Sequence, residues 1–193
     1  MTHLGARGSS VGLALTLLLW WGLGIALGSA VGSTGFESWL NAWHDEVAWQ
    51  IVWDIRLPRS VGACVAGALL GLAGALAQGL FRNPLADPYL LGSASGASLG
   101  VAVALALLGG NLFATEWLVR LGLTGAAFVG AVLAVLLTLV LARGVQHTLR
   151  LLLAGVIVGV VLGAMASLIT LMRPDVLQAM QGFLLGSTSF IGW

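Results

Sequence analysis

Long stretches without a charged residue alternate along the chain with short segments that carry Arg, Asp or Glu. The charge-free stretches are residues 8–36, 60–81, 88–115, 121–142 and 151–172. The shortest contain 22 residues, which in a helix is about 33 Å and covers the hydrocarbon core of a bilayer. A sixth apolar run, residues 176–193, reaches the last residue. The pattern predicts an all-α transmembrane bundle in a single domain over residues 1–193, with about five membrane helices and the start of a sixth.

The first stretch and the orientation of the chain need separate arguments. Arg7, the apolar run after it and Gly28-Ser29-Ala30 have the outline of a signal peptide. The apolar core is longer than the roughly 7–15 residues of such a leader, so we interpret it as an uncleaved helix. Counting arginines does not orient the chain, because four fall on each side of the membrane.

Composition narrows the classes of function. The mean hydropathy is +1.04, and 8% of residues are charged, against about 25% in soluble domains. A net charge of +1 gives no reason to expect a nucleic-acid partner. All eight basic residues are Arg, and a chain without Lys has no Walker A loop. If ATP drives this protein, another subunit binds it.

Ionisable, metal-binding and catalytic residues are rare within the spans. No Asp, Glu, Arg or His lies mid-span, which disfavours a proton relay. His3, His44 and His147 lie in different polar segments, so neither a metal site nor a cofactor is expected. The sequence has no His-Glu-x-x-His pair and no Gly-x-Ser-x-Gly elbow, so an intramembrane enzyme fits poorly. A closely packed, passive passage fits better.

Small residues recur at every fourth position in three of the spans. This spacing places them on one helix face, where they let neighbouring backbones approach closely. We therefore predict helix packing through Gly67, Gly71, Gly92, Gly96, Gly155, Gly159 and Gly163. A static bundle and a bundle whose helices slide explain this spacing equally well.

Several motifs occur in order between Ile51 and Trp193. They are Arg56-Leu-Pro-Arg59, Gln78 with Arg82-Asn-Pro-Leu-Ala-Asp-Pro88, Leu91-Gly-Ser-Ala-Ser-Gly-Ala97, Leu151-Leu-Leu-Ala-Gly155, and Phe183-Leu-Leu-Gly-Ser187 leading to Trp193. Together they resemble the FecCD-type permeases, the membrane subunits of ABC importers for iron-siderophores, haem and cobalamin. The resemblance implies the N-terminal half of a type II ABC importer permease, so we expect the chain to be truncated at its C-terminal end. A genuine half-size permease that pairs with a second chain is the alternative.

The resemblance also orients the chain. It implies a multi-pass protein of the bacterial cytoplasmic (inner) membrane, with its N-terminus in the cytoplasm and Arg56 and Arg59 outside. There the two arginines would dock acidic residues of an extracytoplasmic substrate-binding protein. A local ion pair with Asp54, or contact with lipid phosphate, is the alternative.

Two further sets of site residues follow from the resemblance. Asn83 and Leu85, in the loop after the second span, would form a cytoplasmic gate with Thr148 and Leu149. The alternative for that loop is an ordinary turn capped by Asn and Asp.

On the other side, Arg173-Pro174-Asp175 would start a short external helix, because Pro is favoured in a first turn. Gln178, Gln181 and Ser187 would then border the mouth of the cavity. A solvated polar face explains these three residues equally well.

The leading hypothesis is a permease subunit that translocates an iron-siderophore, haem or cobalamin-like chelate. Its expected partners are a second permease subunit (a copy or a close paralogue), ABC ATPase subunits, the substrate-binding protein and the lipid bilayer. The chain itself would not be an enzyme. The alternative is a non-transport membrane protein, such as an assembly scaffold.

Overall fold

The computed structural model describes residues 4–31, 45–108, 117–143, 148–188 and 191–193. Its helices are α1 (Leu4–Ala30), α2 (Glu46–Gln50), a π-helical segment (Ile51–Arg56), α3 (Leu57–Phe81), α4 (Ser93–Leu108), α5 (Trp117–Leu141), α6 (Thr148–Met172) and α7 (Pro174–Leu185). The regular structure of these ranges is helical throughout, which confirms the predicted all-α class. The chain divides into two compact units, Met1–Leu70 with Thr188–Trp193, and Gly71–Ser187.

Most of the predicted spans are long, apolar helices. Among the described residues, four helical stretches are long and apolar enough to cross a membrane: Val11–Ala30, Glu46–Phe81, Leu121–Leu141 and Thr148–Met172. The predicted span 88–115 becomes helical only at Ser93, and its last residues lie outside the described ranges. The 16 residues of α4 rise about 24 Å, which is less than the hydrocarbon thickness.

The second span begins earlier than its charge-free stretch. Asp45 caps α2 by accepting a hydrogen bond from the Val47 N–H at 3.0 Å, and the helix continues through the π-helical segment into α3. Pro58 lies within this continuous helix, where its ring lacks an N–H and crowds the carbonyl four residues before it. The Leu57 N–H bonds to the Val52 carbonyl, one residue further back than in an α-helix. The wider turn therefore accommodates the proline.

The sixth apolar run is not a single helix in the described residues. The helix α7 has Pro174 in its first turn, as the sequence predicts, and ends at Leu185. Gly186 follows with a φ of 69°, a conformation that favours glycine and stops the helix. At 12 residues, α7 is about 18 Å long, too short to span a bilayer.

In the first unit, α1 contacts the π-helical segment, and Gly28 of α1 lies against Ser60 near the start of α3. A Cβ added at Gly28 would lie 2.7 Å from the Ser60 hydroxyl oxygen. The rings of Trp49 and Trp53 stack with centroids 6.0 Å apart, and Trp193 lies 5.6 Å from Trp53. The Trp193 indole N–H donates to the Trp53 carbonyl at 2.9 Å.

The second unit is built around α4, which packs against both α5 and α6. Val101 and Leu105 of α4 are buried with Leu123 of α5 and with Val176 and Met180 of α7. One face of the short helix α7 is thus part of the core, which holds it against the end of α4.

Candidate functional site

The loop after α3 begins with a left-handed residue. Arg82 has a φ of 48°, a region that L-residues other than Asn and Asp enter rarely. The Arg82 N–H donates to the Gly79 carbonyl, and the Asn83 N–H donates to the Gln78 carbonyl at 3.1 Å. This pair of bonds is a Schellman motif, which terminates the helix and turns the chain sharply.

Two side chains then fold the loop onto itself. The Asn83 side-chain oxygen accepts a bond from the Leu85 N–H at 3.0 Å, and the Asp87 carboxylate accepts one from the Tyr89 N–H at 2.7 Å. These are the capping bonds of an ordinary turn. They leave the Leu85 side chain 88% exposed, and Asn83 is exposed beside it.

A small apolar cluster supports the loop. Ala77 and Phe81 of α3 are buried together with Ala86 of the loop, and Leu151 and Leu152 of α6 pack against them. Thr148 and Leu149 lie in the first turn of α6, both exposed. The two predicted gate elements therefore flank one packed cluster.

Gly92 and Gly155 bring the start of α4 against α6. A Cβ on Gly155 would overlap the Leu90 carbonyl oxygen, and one on Gly92 would lie 3.3 Å from the Gly159 nitrogen. Gly92 also has a φ of 80°. Cβ atoms at Gly159 and Gly163 would meet the Ser95 side chain at ordinary contact distance.

A second face of α4 packs against α5, through a stripe of small residues on α5 that was not predicted from the sequence. A Cβ on Gly96 would overlap the Gly130 carbonyl oxygen and the Ala134 methyl group. A Cβ on Gly100 would overlap the Ala126 carbonyl oxygen. The signal was present in the sequence, since small residues recur every fourth position of α5 at Gly122, Ala126, Gly130 and Ala134.

Gly67 and Gly71 stand apart from the other predicted packing residues. Within the described residues, no atom other than the neighbouring backbone of α3 itself lies within 4 Å of a Cβ added to either. Their four-residue spacing matches that of the packed glycines, but here it places them on an open face of α3. The contact predicted for these two positions is therefore not made within the described structure.

An open groove of about 500 Å³ runs beside the packed glycines. Asp87 and Tyr89 lie at its loop end, and Ser95, Gly155 and Gly159 line it further along. The exposed carboxylate and phenol are its polar groups at the loop end.

The predicted docking arginines lie in the first unit. Arg56 ends the π-helical segment and Arg59 lies in the first turn of α3, both partly buried. Of the aromatic residues before them, Trp49 and Trp53 form the stack described above, whereas Trp39 and Trp43 lie outside the described residues.

An exposed ion pair opens α7 in the second unit. Arg173 binds Asp175 through two hydrogen bonds, of 3.1 and 2.9 Å, and also reaches the Ala106 carbonyl near the end of α4 at 3.5 Å. The hydrogen bond from Arg173 lowers the pKa of Asp175, and the same bond raises the pKa of Arg173. The pair thus links the start of α7 to a helix C-terminus, where positive charge is favourable.

The remaining predicted residues lie near or after this pair. Gln178, Gln181 and Ser187 are all exposed, the first two on α7 and the third just after it. Among the described residues, no three His, Cys, Asp or Glu side chains are grouped as a metal site would require. His3, His44 and His147 lie outside those ranges.

Comparisons with known proteins agree on a transport family. The sequence profile of the FecCD transport family matches residues 14–193. The permease YvrB of Bacillus subtilis, an uncharacterised ABC transporter protein, is 45% identical over 72% of this chain and 39% of its own length. A probable iron chelatin transport permease of Helicobacter pylori is 42% identical over 70% of this chain and 39% of its own length.

The vitamin B12 import permease BtuC of Escherichia coli O1:K1 is 38% identical over 72% of this chain and 41% of its own length. The chain thus spans about two fifths of the length of the curated relatives it matches. A solved ABC transporter assigned to the metal-chelate type, in an inward-facing conformation, matches with a TM-score of 0.76 at 25% identity. That match covers 94% of this chain and 55% of the other.

Proposed function

Because this chain belongs to the FecCD transport family, we propose that it forms part of the membrane passage of an ABC importer. The transported compound is a metal chelate or corrinoid, of the iron-siderophore, haem or cobalamin kind. The relatives for iron chelatin and vitamin B12 support this substrate class. ATP is hydrolysed by separate ATPase subunits, and a second permease subunit, a copy or a close paralogue, completes the passage.

The observation that supports this proposal is that the loop after α3 and the start of α6 pack on one cluster. Leu85 is 88% exposed and Leu149 is 72% exposed, yet the loop and the helix start that carry them share one buried cluster. An exposed leucine on a fixed base can meet an apolar partner across a passage and exclude water from it. Asn83 and Thr148 add polar contacts beside the two leucines. These four residues form the cytoplasmic gate.

On the other side of the membrane, two sets of residues face the incoming substrate. Arg56 and Arg59 dock acidic residues of the substrate-binding protein, which brings its cargo to the passage. Gln178, Gln181 and Ser187 border the mouth, where exposed amides and a hydroxyl suit a polar chelate. The protein lies in the bacterial cytoplasmic membrane with its N-terminus in the cytoplasm.

Deleting the gene in its host and measuring uptake tests the proposal. We expect uptake of one labelled compound, among cobalamin, haem and a panel of ferric siderophores, to be lost and to return with the wild-type gene. Complementation with Gly155→Leu should fail, because that side chain would collide with the Leu90 carbonyl. Gly122→Leu is the matched control, since nothing lies within 4 Å of its Cβ. Unchanged uptake of every compound would favour the scaffold alternative.

A further inference from the structure

Thr138 makes a hydrogen bond unlike those of Thr16 and Thr170, the other described helical threonines for which a hydroxyl bond is seen. The hydroxyls of Thr16 and Thr170 donate to carbonyls three or four residues earlier in their own helices. Such bonds are common and local. Thr138 instead donates to the carbonyl of Leu91 at 3.0 Å, 47 residues earlier in the chain. Its side chain is fully buried.

The stripe of small residues on α5 explains why Thr138 reaches that carbonyl. Ala126, Gly130 and Ala134 hold this face of α5 against α4, and Thr138 continues the same four-residue spacing. The next position along the contact therefore lies opposite the chain just before α4. At that position the side chain is that of Thr138 instead of Gly or Ala, and its hydroxyl supplies a hydrogen-bond donor.

The Leu91 carbonyl lies at the junction between the loop and α4. The first hydrogen bond leading into α4 runs from the Gly96 N–H to the Gly92 carbonyl, one residue later. A part-buried carbonyl just before the helix needs a donor from elsewhere, because leaving it unpaired costs free energy. On the far side, Gly155 of α6 lies against Leu90 and Leu91. The junction is thus held between α5 and α6.

We propose that Thr138 is a positioning residue for the cytoplasmic gate, an inference that rests on the proposed function. The loop has two fixed points. Ala86 is held in the apolar cluster with Phe81, and Leu91 is held by the Thr138 hydroxyl. Leu91 also packs against the cluster that holds Ala86, so releasing Leu91 loosens the hold on Ala86 and lets the loop that carries Asn83 and Leu85 lift from its base.

The test uses Ala86→Cys as a reporter in a Cys64→Ser background. Ala86 is 6% exposed, so a thiol there reacts with a membrane-impermeant maleimide only when the loop lifts. Labelling is measured in inside-out vesicles from cells that express the full chain. Thr138→Val keeps the shape and removes the donor, and we expect labelling to accelerate about five- to tenfold, the population shift of one lost hydrogen bond. Thr138→Ser keeps the donor and should restore the slow rate.

Two controls separate an anchor from a merely structural residue. Thr124→Val makes the same change at an exposed position of α5 and should leave the rate unchanged. Val176→Cys reports on the buried end of α7, is labelled in right-side-out vesicles because α7 lies on the proposed outer side, and should not respond to Thr138→Val. The proposal that Thr138 anchors the loop is overturned if Ala86→Cys is labelled equally fast with Thr138→Val and with the wild-type Thr138. It is also overturned if Thr138→Val accelerates labelling of both Ala86→Cys and Val176→Cys. If Ala86→Cys is labelled only in right-side-out vesicles, the loop is not cytoplasmic and the proposed gate is overturned.

Discussion

Arg82 occupies a backbone conformation that is unfavourable for its residue type, at the start of the proposed gate. Its φ of 48° costs an L-residue about 1–2 kcal/mol, which Gly would not incur. The turn is held in this conformation from both sides. The Schellman bonds join it to the Gly79 and Gln78 carbonyls of α3, and the buried Ala86 fixes the loop that follows. Strain that persists at one position in this way is a common feature of functional turns.

Replacing Arg82 with Gly should therefore raise the stability of the protein. We expect a gain of about 1 kcal/mol, reduced somewhat by the greater freedom of Gly in the unfolded chain. The measurement is the unfolding transition of the detergent-extracted protein. Arg82→Ala is the control, since it removes the charge but keeps the Cβ, and it should give no gain. Equal stabilisation by both changes would trace the effect to the charge instead of the backbone.

The Arg173–Asp175 pair predicts a pH dependence at the start of α7. The folded-state pKa of Asp175 is lowered, so its contribution to stability is present above the unfolded pKa of about 4 and is lost as pH falls through the lower folded value. Asp175→Asn should melt slightly below wild type at pH 7. The difference should vanish as the pH is lowered below about 4. An exposed pair makes a small contribution, so a large gap that survives at low pH would contradict this assignment.

Among the elements, α4 makes its closest backbone approaches to two helices, on two different faces. Gly96 and Gly100 meet α5, whereas Gly92 and Ser95 meet α6. In both contacts a backbone carbonyl lies where a side chain would otherwise be. Close approach of this kind is how membrane helices associate when no hydrophobic driving force acts between them. The sequence spacing shows which faces are small, but not which of them meets a partner.

Gly130→Ala tests this contact with the smallest possible change. The added methyl group would overlap the Gly96 carbonyl oxygen, so we expect α5 to shift and the unfolding temperature to fall. Gly125→Ala, on the same helix, has open space around its Cβ. It should be neutral or should stabilise by up to about 1 kcal/mol through helix propensity. Equal effects of the two substitutions would mean that the α4–α5 contact is looser than described.

For the whole molecule, hydropathy predicted the membrane helices because a bilayer imposes a minimum apolar length. It missed the start of the second span at Glu46, since Asp54 and Arg56 interrupt the apolar pattern while the helix continues through a π-helical turn. The turn bonds of Asn83 and Asp87 follow from residue type. The Thr138 bond does not, because it depends on the packing of α5 beside a distant segment.

The predicted docking role of Arg56 and Arg59 concerns the assembled transporter. If the two arginines meet acidic groups at the rim of an interface, each contact is partly solvated and contributes about 0.2–1 kcal/mol. Such contacts act mainly on the association rate and its salt dependence. A single Arg→Ala change should therefore weaken binding of the substrate-binding protein modestly, about two- to fivefold.

Charge reversal should weaken docking most. In Arg56→Glu with Arg59→Glu, like charges would face each other, so the affinity of the reconstituted transporter for its binding protein should fall furthest at low salt. Acid-to-base changes on the binding protein should restore part of that affinity. Arg150→Glu is the matched control, because this exposed arginine lies at the start of α6, on the predicted cytoplasmic side. If the double reversal changes neither affinity nor salt dependence, the two arginines anchor the helix at the membrane surface and the binding protein docks elsewhere.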